Sequence, residues 1–155
     1  MNFVLGAFST NDVTGYSYMA FLGGSTTVTA LSNAQPFPND LFDVSGGESF
    51  VIEGGANATI NKFALGQNND QVDLTSLLAK ATSTELSNPS NLFNPTTGPV
   101  SFTYTNSTSV TLGTTNGVNG ASGSATLTLN AASGINFGNS KAAAENNIFN
   151  VLTTH

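Results

Sequence analysis

Apolar residues alternate with hydroxyl-bearing ones along much of the chain. The alternation runs through Thr26-Thr27-Val28-Thr29-Ala30, Phe50-Val51-Ile52, Ser101-Phe102-Thr103-Tyr104, Ser109-Val110-Thr111-Leu112 and Ser124-Ala125-Thr126-Leu127-Thr128-Leu129. A period of two gives a strand one face to bury and one row of hydroxyls for water. Gly23-Gly24, Gly46-Gly47, Gly54-Gly55, Thr97-Gly98-Pro99 and Asn116-Gly117 punctuate these segments as turn signals. The pattern predicts an all-β fold, a β-sandwich or β-roll-like single domain over 1–155, with one or two short helices.

The helical period is confined to two segments. Leu74 to Leu86 carries Leu77, Leu78 and Ala81 behind a cap at Asp73 or Thr75, and stops before Asn88-Pro89. Ser140-Lys141-Ala142-Ala143-Ala144-Glu145 starts a second helix toward Val151-Leu152, although Asn146 to Thr154 reads equally well as a last strand. Ser45-Gly46-Gly47 and Glu53-Gly54-Gly55 are the sole hint of a repeat, and a coil architecture needs at least three units to bury a core.

Composition narrows the function. With 155 residues, a net charge of -6, 8% charged residues and only three cations, all lysine (Lys62, Lys80, Lys141), the chain has no basic footprint for nucleic acid or an anionic membrane. Eleven Phe and three Tyr argue for a packed core rather than disorder. The absence of cysteine excludes disulfides and thiolate metal sites, so the core, bound ions or neighbouring subunits must supply stability. No stretch approaches the ~20 apolar residues that span a bilayer. Met1 to Phe8 lacks the positive start and long apolar run of a cleaved signal peptide, while the neutral, hydroxyl-rich composition suits an extracellular protein. An export route without an N-terminal signal reconciles the two.

Ser49-Phe50-Val51-Ile52-Glu53-Gly54-Gly55, then Ala58 to Phe63, then Gly66 with Asp70 and Asp73-Leu74-Thr75 resembles the C-terminal region of RTX-type proteins exported by type I secretion. In that family a strand of the form F-V-x-x-G precedes a strand ending in Phe, followed by G-x-x-x-D-x-(V/L/I)-D-L-(S/T)-x-L-L. The match covers residues 39–78. It implies one-step export from a bacterium, directed by uncleaved C-terminal sequence, here residues 63–155. The family's calcium nonapeptides, G-G-x-G-x-D, are absent: Gly46-Gly47-Glu48 and Gly54-Gly55-Ala56 keep the glycines without the aspartate.

Candidate chemistry is sparse. Asp70 and Asp73, with Asn68 and Asn69, could ligate one Ca²⁺, the one cofactor these residues admit; alternatively Asp70 closes a turn and Asp73 caps the next helix. Asp40 and Asp43, with Asn39 and Glu48, pose the same choice between a cation site and solvated turns. The only histidine is His155, the last residue, which leaves no basis for a histidine triad, and Glu48 and Glu53 would point to opposite faces of a strand. An enzyme is therefore not expected. Tyr16, Tyr18, Phe21, Phe37 and Phe42 could present an aromatic platform but more commonly fill a core. An ice-binding face would need a repeated threonine ladder, and the linear spacing of threonine here is too irregular to suggest one.

The expectation that remains is a secreted structural protein assembling with itself into a filament, surface layer or biofilm matrix. Low surface charge leaves strand edges unprotected. An apolar terminal strand within residues 1–10, carrying Phe3, Val4, Leu5 and Phe8, could add to a neighbour's sheet edge. The partner expected is thus a second copy, with cell-surface or matrix polysaccharide as a further one. The alternative is a calcium-dependent adhesin exported by the same route.

Overall fold

Residues 2–3, 18–29, 48–65 and 70–155 are described by a computed structural model. The alternating segments become strands: β1 (Asn2–Phe3), β2 (Tyr18–Leu22), β3 (Ser25–Thr29), β4 (Glu48–Ile52), β5 (Asn57–Phe63) and β6 (Gln71–Asp73) come first. After a single 3-10 turn (Thr75–Leu77) and α1 (Pro89–Leu92) follow β7 (Ser101–Asn106), β8 (Ser109–Thr114) and β9 (Ala125–Ala131). The chain ends in α2 (Lys141–Phe149) and β10 (Leu152–Thr153). Most of the structure is therefore strand, in two sheets, with few and short helices.

One sheet has six strands in the order β1-β3-β5-β9-β8-β7, the other four in the order β10-β6-β4-β2. Strands β1 to β6 change sheet at every step, and β9 and β10 resume the alternation. All pairings are parallel except β7 with β8 and β8 with β9. Parallel neighbours usually need a long crossover. Here the crossover is the strand in the opposite sheet, and between β2 and β3 and between β4 and β5 a short corner suffices.

Two of the Gly-Gly pairs make those corners. Gly23-Gly24 joins β2 to β3, and Glu53 to Ala56 joins β4 to β5, with Gly24 at φ 61° and Gly55 at φ 86°, where a side chain would be strained. The corners stack through backbone bonds. Glu53 N–H donates to Leu22 O at 3.0 Å, Asn57 N–H to Gly24 O at 2.7 Å and Gly55 N–H to Ser124 O at 2.7 Å.

The third pass from β6 to β9 is interrupted by a detour holding α1 and the β7–β8 hairpin. Ser122 closes its base: its N–H donates to Leu77 O at 2.8 Å, its hydroxyl donates to Ser76 O at 2.9 Å, and its Oγ accepts from Ala79 N–H at 3.2 Å. The hairpin then pairs with β9 and extends the six-stranded sheet at that end.

One core lies between the sheets. From the six-stranded sheet it takes Ala58, Ile60, Phe63, Leu127, Leu129, Val110, Leu112 and Phe102, and from the other Phe50, Ile52 and Val72. Phe63 reaches this core through an irregularity in β5. Between Ile60 and Phe63 the register shifts, and Lys62 adopts φ 58°. The extra residue lets Asn61 and Lys62 stay outside while Phe63 turns in. Phe50 and Phe137 meet it at ring-centroid distances of 6.3 and 6.2 Å.

The helices differ from expectation for local reasons. Over Leu74–Leu86 only one 3-10 turn forms. Asp73 Oδ1 accepts from Thr75 N–H at 2.8 Å, and farther on Thr82 and Glu85 cap each other reciprocally, with Thr82 N–H donating to Glu85 Oε2 at 2.6 Å and Glu85 N–H to Thr82 Oγ1 at 3.3 Å. Side chains bonding their own backbone restart the chain every few residues instead of letting a helix propagate. Asn88-Pro89, read as a stop, is a start: Asn88 Oδ1 accepts from Asn91 N–H at 2.9 Å, and Pro89 occupies the first helical position. Near the C-terminus both alternatives are realised in turn, since α2, capped by Ser140, ends at Phe149 and β10 follows.

Candidate functional site

The outward face of the six-stranded sheet is the most regular surface in the structure. Its central strands alternate: in β8 and β9 Val110, Leu112, Leu127 and Leu129 are buried, while Ser109, Thr111, Thr126, Thr128 and Asn130 are not. The outward residues therefore depend on register alone. Thr27 pairs with Thr59, Thr59 with Thr128, Thr128 with Thr111, and Thr111 with Thr103. Five threonines from five adjacent strands form one transverse row.

A row on either side continues the pattern. Ser25, Asn57, Thr126, Gly113 and Ser101 are register partners on one flank. Asn61, Asn130 and Ser109 occupy the other, where Asn130 Nδ2 donates to Asn61 Oδ1 at 2.8 Å and Ser109 Oγ donates to Asn130 Oδ1 at 2.9 Å; past Tyr104 the register of β7 shifts, and Asn106, opposite Ser109, accepts at Oδ1 from Thr108 N–H at 2.9 Å. In the central row the Thr111 and Thr128 hydroxyls lie 3.2 Å apart and share a hydrogen bond. Such cross-strand bonds fix rotamers already restricted by β-branching. No charged or aromatic residue stands in any of the three rows; Lys62 follows the last of them at the β5 irregularity.

The threonine ladder corrects the expectation that threonine spacing is too irregular for one. Its members come from distant segments, and the unequal lengths of the corners and of the detour are absorbed outside the sheet. The signal was in each strand as T-x-T, N-x-T or S-x-T with an apolar middle residue; what aligned them was strand order.

Asp70 and Asp73 take local roles. Asp70 is 1% exposed, its Oδ2 accepting from Ala64 N–H at 2.8 Å while its own N–H donates to Ala64 O at 3.1 Å, which closes the loop that leads into β6. Asp73 holds the start of the 3-10 turn as described. Among the described residues no three acidic or histidine side chains cluster in a way that could hold a metal ion. Asn68, Asn69, Asn39, Asp40 and Asp43 lie outside the described residues, as do Val4, Leu5 and Phe8. Phe3 is described in its backbone, paired in parallel with Val28 of the same chain.

A concavity of about 300 Å³ lies beside the base of the hairpin, walled by Phe93, Pro95, Phe102, Asn94, Asn119 and Lys141. Its polar groups are largely engaged: Asn119 Nδ2 donates to Thr96 O and Gly98 O at 3.0 and 3.1 Å, Asn94 Oδ1 accepts from Thr96 and Thr97, and Lys141 pairs with Glu145. The Asn119 bonds tie the loop after the hairpin to the loop before it. Among the described residues no helix is long and apolar enough to cross a membrane.

No family model matches this chain, and no curated protein or solved structure does.

Proposed function

We propose that this chain is an extracellular structural protein that assembles with copies of itself by strand addition, and that its two-sheet alternation is a roll-like coil. The observation that carries the reading is the asymmetry of the stack. At the β9 and β6 end the sheets continue through the hairpin and β10, and α2 packs against β7 and α1. At the other end β2 is the last strand of the four-stranded sheet, and among the described residues nothing pairs with its outer side. An open edge of parallel strands is a template for another chain. The low charge of the sequence supplies little repulsion against that.

β1 is an edge strand of its sheet and, among the described residues, pairs with β3 at Asn2 and Phe3. A chain-terminal edge strand is the segment most easily exchanged for a neighbour's edge, which makes residues 1–10, with Phe3, Val4, Leu5 and Phe8, the proposed exchanging segment. Negative-stain microscopy and sedimentation of the purified chain should show ordered polymers, lost when residues 1–8 are removed. A protein that stays monomeric at every concentration, with a melting temperature that collapses in chelator, would overturn this and favour the calcium-dependent adhesin.

Export follows from the resemblance to RTX-type proteins, and the alternating parallel pairing supports it. Cells carrying a type I channel should release the chain into the medium, and cells without it should retain the chain. Equal release from both would exclude this route.

A further inference from the structure

We infer that the outward face of the six-stranded sheet binds ice. The ligand is identified by the geometry of the array. Adjacent strands are ~4.8 Å apart and alternate residues along a strand ~6.7 Å apart, so the central row spans roughly 19 Å over five strands and a row lies roughly 7 Å to either side of it, one over all five strands and the other over β5, β9 and β8. The two repeats are close to those of oxygen atoms on the prism faces of hexagonal ice. Apart from Gly113, the residues of the rows present hydroxyls and amides, each able to donate and to accept, as a water molecule in ice does.

Three further properties separate this face from an ordinary wet sheet. It carries no charge in the three rows, so no fixed field pulls surface water into an arrangement foreign to ice. Each threonine also presents a methyl group, which water must surround rather than bond, favouring an ordered layer between the hydroxyls. The array is held before any ligand arrives, by the Thr111–Thr128, Ser109–Asn130 and Asn130–Asn61 bonds.

A crystalline polysaccharide is the competing planar partner. Its sugar rings stack on exposed aromatic rings, and the three rows contain none. The substitution that isolates the face is Thr128→Tyr, at the centre of the ladder, where a ring would stand above the lattice without entering the core. Thr128→Val keeps the shape and removes one hydroxyl, and so guards against misfolding as an explanation. Ala142→Tyr, on the exposed part of α2, serves as the distant control.

The purified protein is expected to open a gap between the melting and freezing points of a seed crystal, to facet that crystal and to slow recrystallisation in a frozen sucrose solution. Thr128→Tyr should reduce the gap several-fold, Thr128→Val should reduce it less, and Ala142→Tyr should leave it unchanged, all with melting temperatures close to that of the parent. A folded parent protein with no gap and no faceting overturns the inference. So does depletion by microcrystalline cellulose or chitin that Thr128→Tyr abolishes while no gap is seen, since the face would then belong to a polysaccharide.

Discussion

Phe63→Ala is expected to destabilise the fold by about 3–5 kcal/mol, the range for deleting a fully buried aromatic ring. Phe63 has 0% exposure and contacts both sides of the core, Phe50 from the four-stranded sheet and Phe137 from the loop before α2. Removing it opens a void where the sheets and the C-terminal segment meet. Domain stability is only about 5–15 kcal/mol, so the loss is a large fraction of the total. Urea unfolding followed by circular dichroism should show a much lower midpoint with an unchanged slope. Thr59→Ala, on the outward face of the same strand, should shift stability by no more than about 0.5 kcal/mol. Equal effects at the two positions would mean that β5 does not divide the interior from the solvent as described.

That division was legible in the sequence wherever alternation was uninterrupted. Ser101 to Tyr104 and Ser109 to Leu112 lie in β7 and β8, and of Ser124 to Leu129 all but Ser124 lie in β9; the residues facing inward are those the period assigns. β5 stood out only through the resemblance to RTX-type proteins, and its extra residue at Lys62 shows why period alone misplaces Phe63. Helix placement failed where Ser, Thr, Asn and Asp side chains bond to nearby backbone, as at Thr82, Asn88 and Asp73, because apolar spacing does not register that competition.

The candidate face was hidden for a different reason. Each strand shows its own hydroxyl row, but a ladder exists only once β3, β5, β9, β8 and β7 are neighbours in a particular register. The pair of corners that sets part of that order, Gly23-Gly24 and Glu53 to Ala56, was not the pair the sequence invited one to compare. Gly46-Gly47 and Gly54-Gly55 look more alike and stand closer together. Long-range parallel pairing is decided by which apolar faces fill one core, as Ile60 beside Leu129 and Ala58 beside Leu127 do, and that is a property of the assembled chain.

Gly138→Ala is expected to cost about 2–5 kcal/mol, combining roughly 1–2 kcal/mol for forcing a side chain into left-handed backbone with 1–3 kcal/mol for overlap in a packed region. Gly138 has φ 145°, and an added Cβ would lie 2.5 Å from Ala144 N and 2.8 Å from Ala143 C, both helix backbone that cannot swing aside. The same residue anchors the end of the stack: Tyr104 on β7 donates its hydroxyl to Gly138 O at 2.9 Å, and Gly138 N–H donates to Asn136 Oδ1 at 2.7 Å. Its neighbour Phe137 accepts from Asn147 Nδ2 on α2 at 2.9 Å. Displacing α2 would uncover Phe137 and Ile148, which belong to the core. Gly134→Ala makes the comparison, since φ 79° carries the backbone strain while nothing lies within 4 Å of the new Cβ, so only the first part of the cost, about 1–2 kcal/mol, should appear. If α2 closes one end of the stack, Gly138→Ala should also convert ordered polymers into amorphous aggregate, as seen by microscopy, whereas Gly134→Ala should not. Indistinguishable midpoints and polymers for the two variants would show that α2 is a passenger on the fold and not its cap.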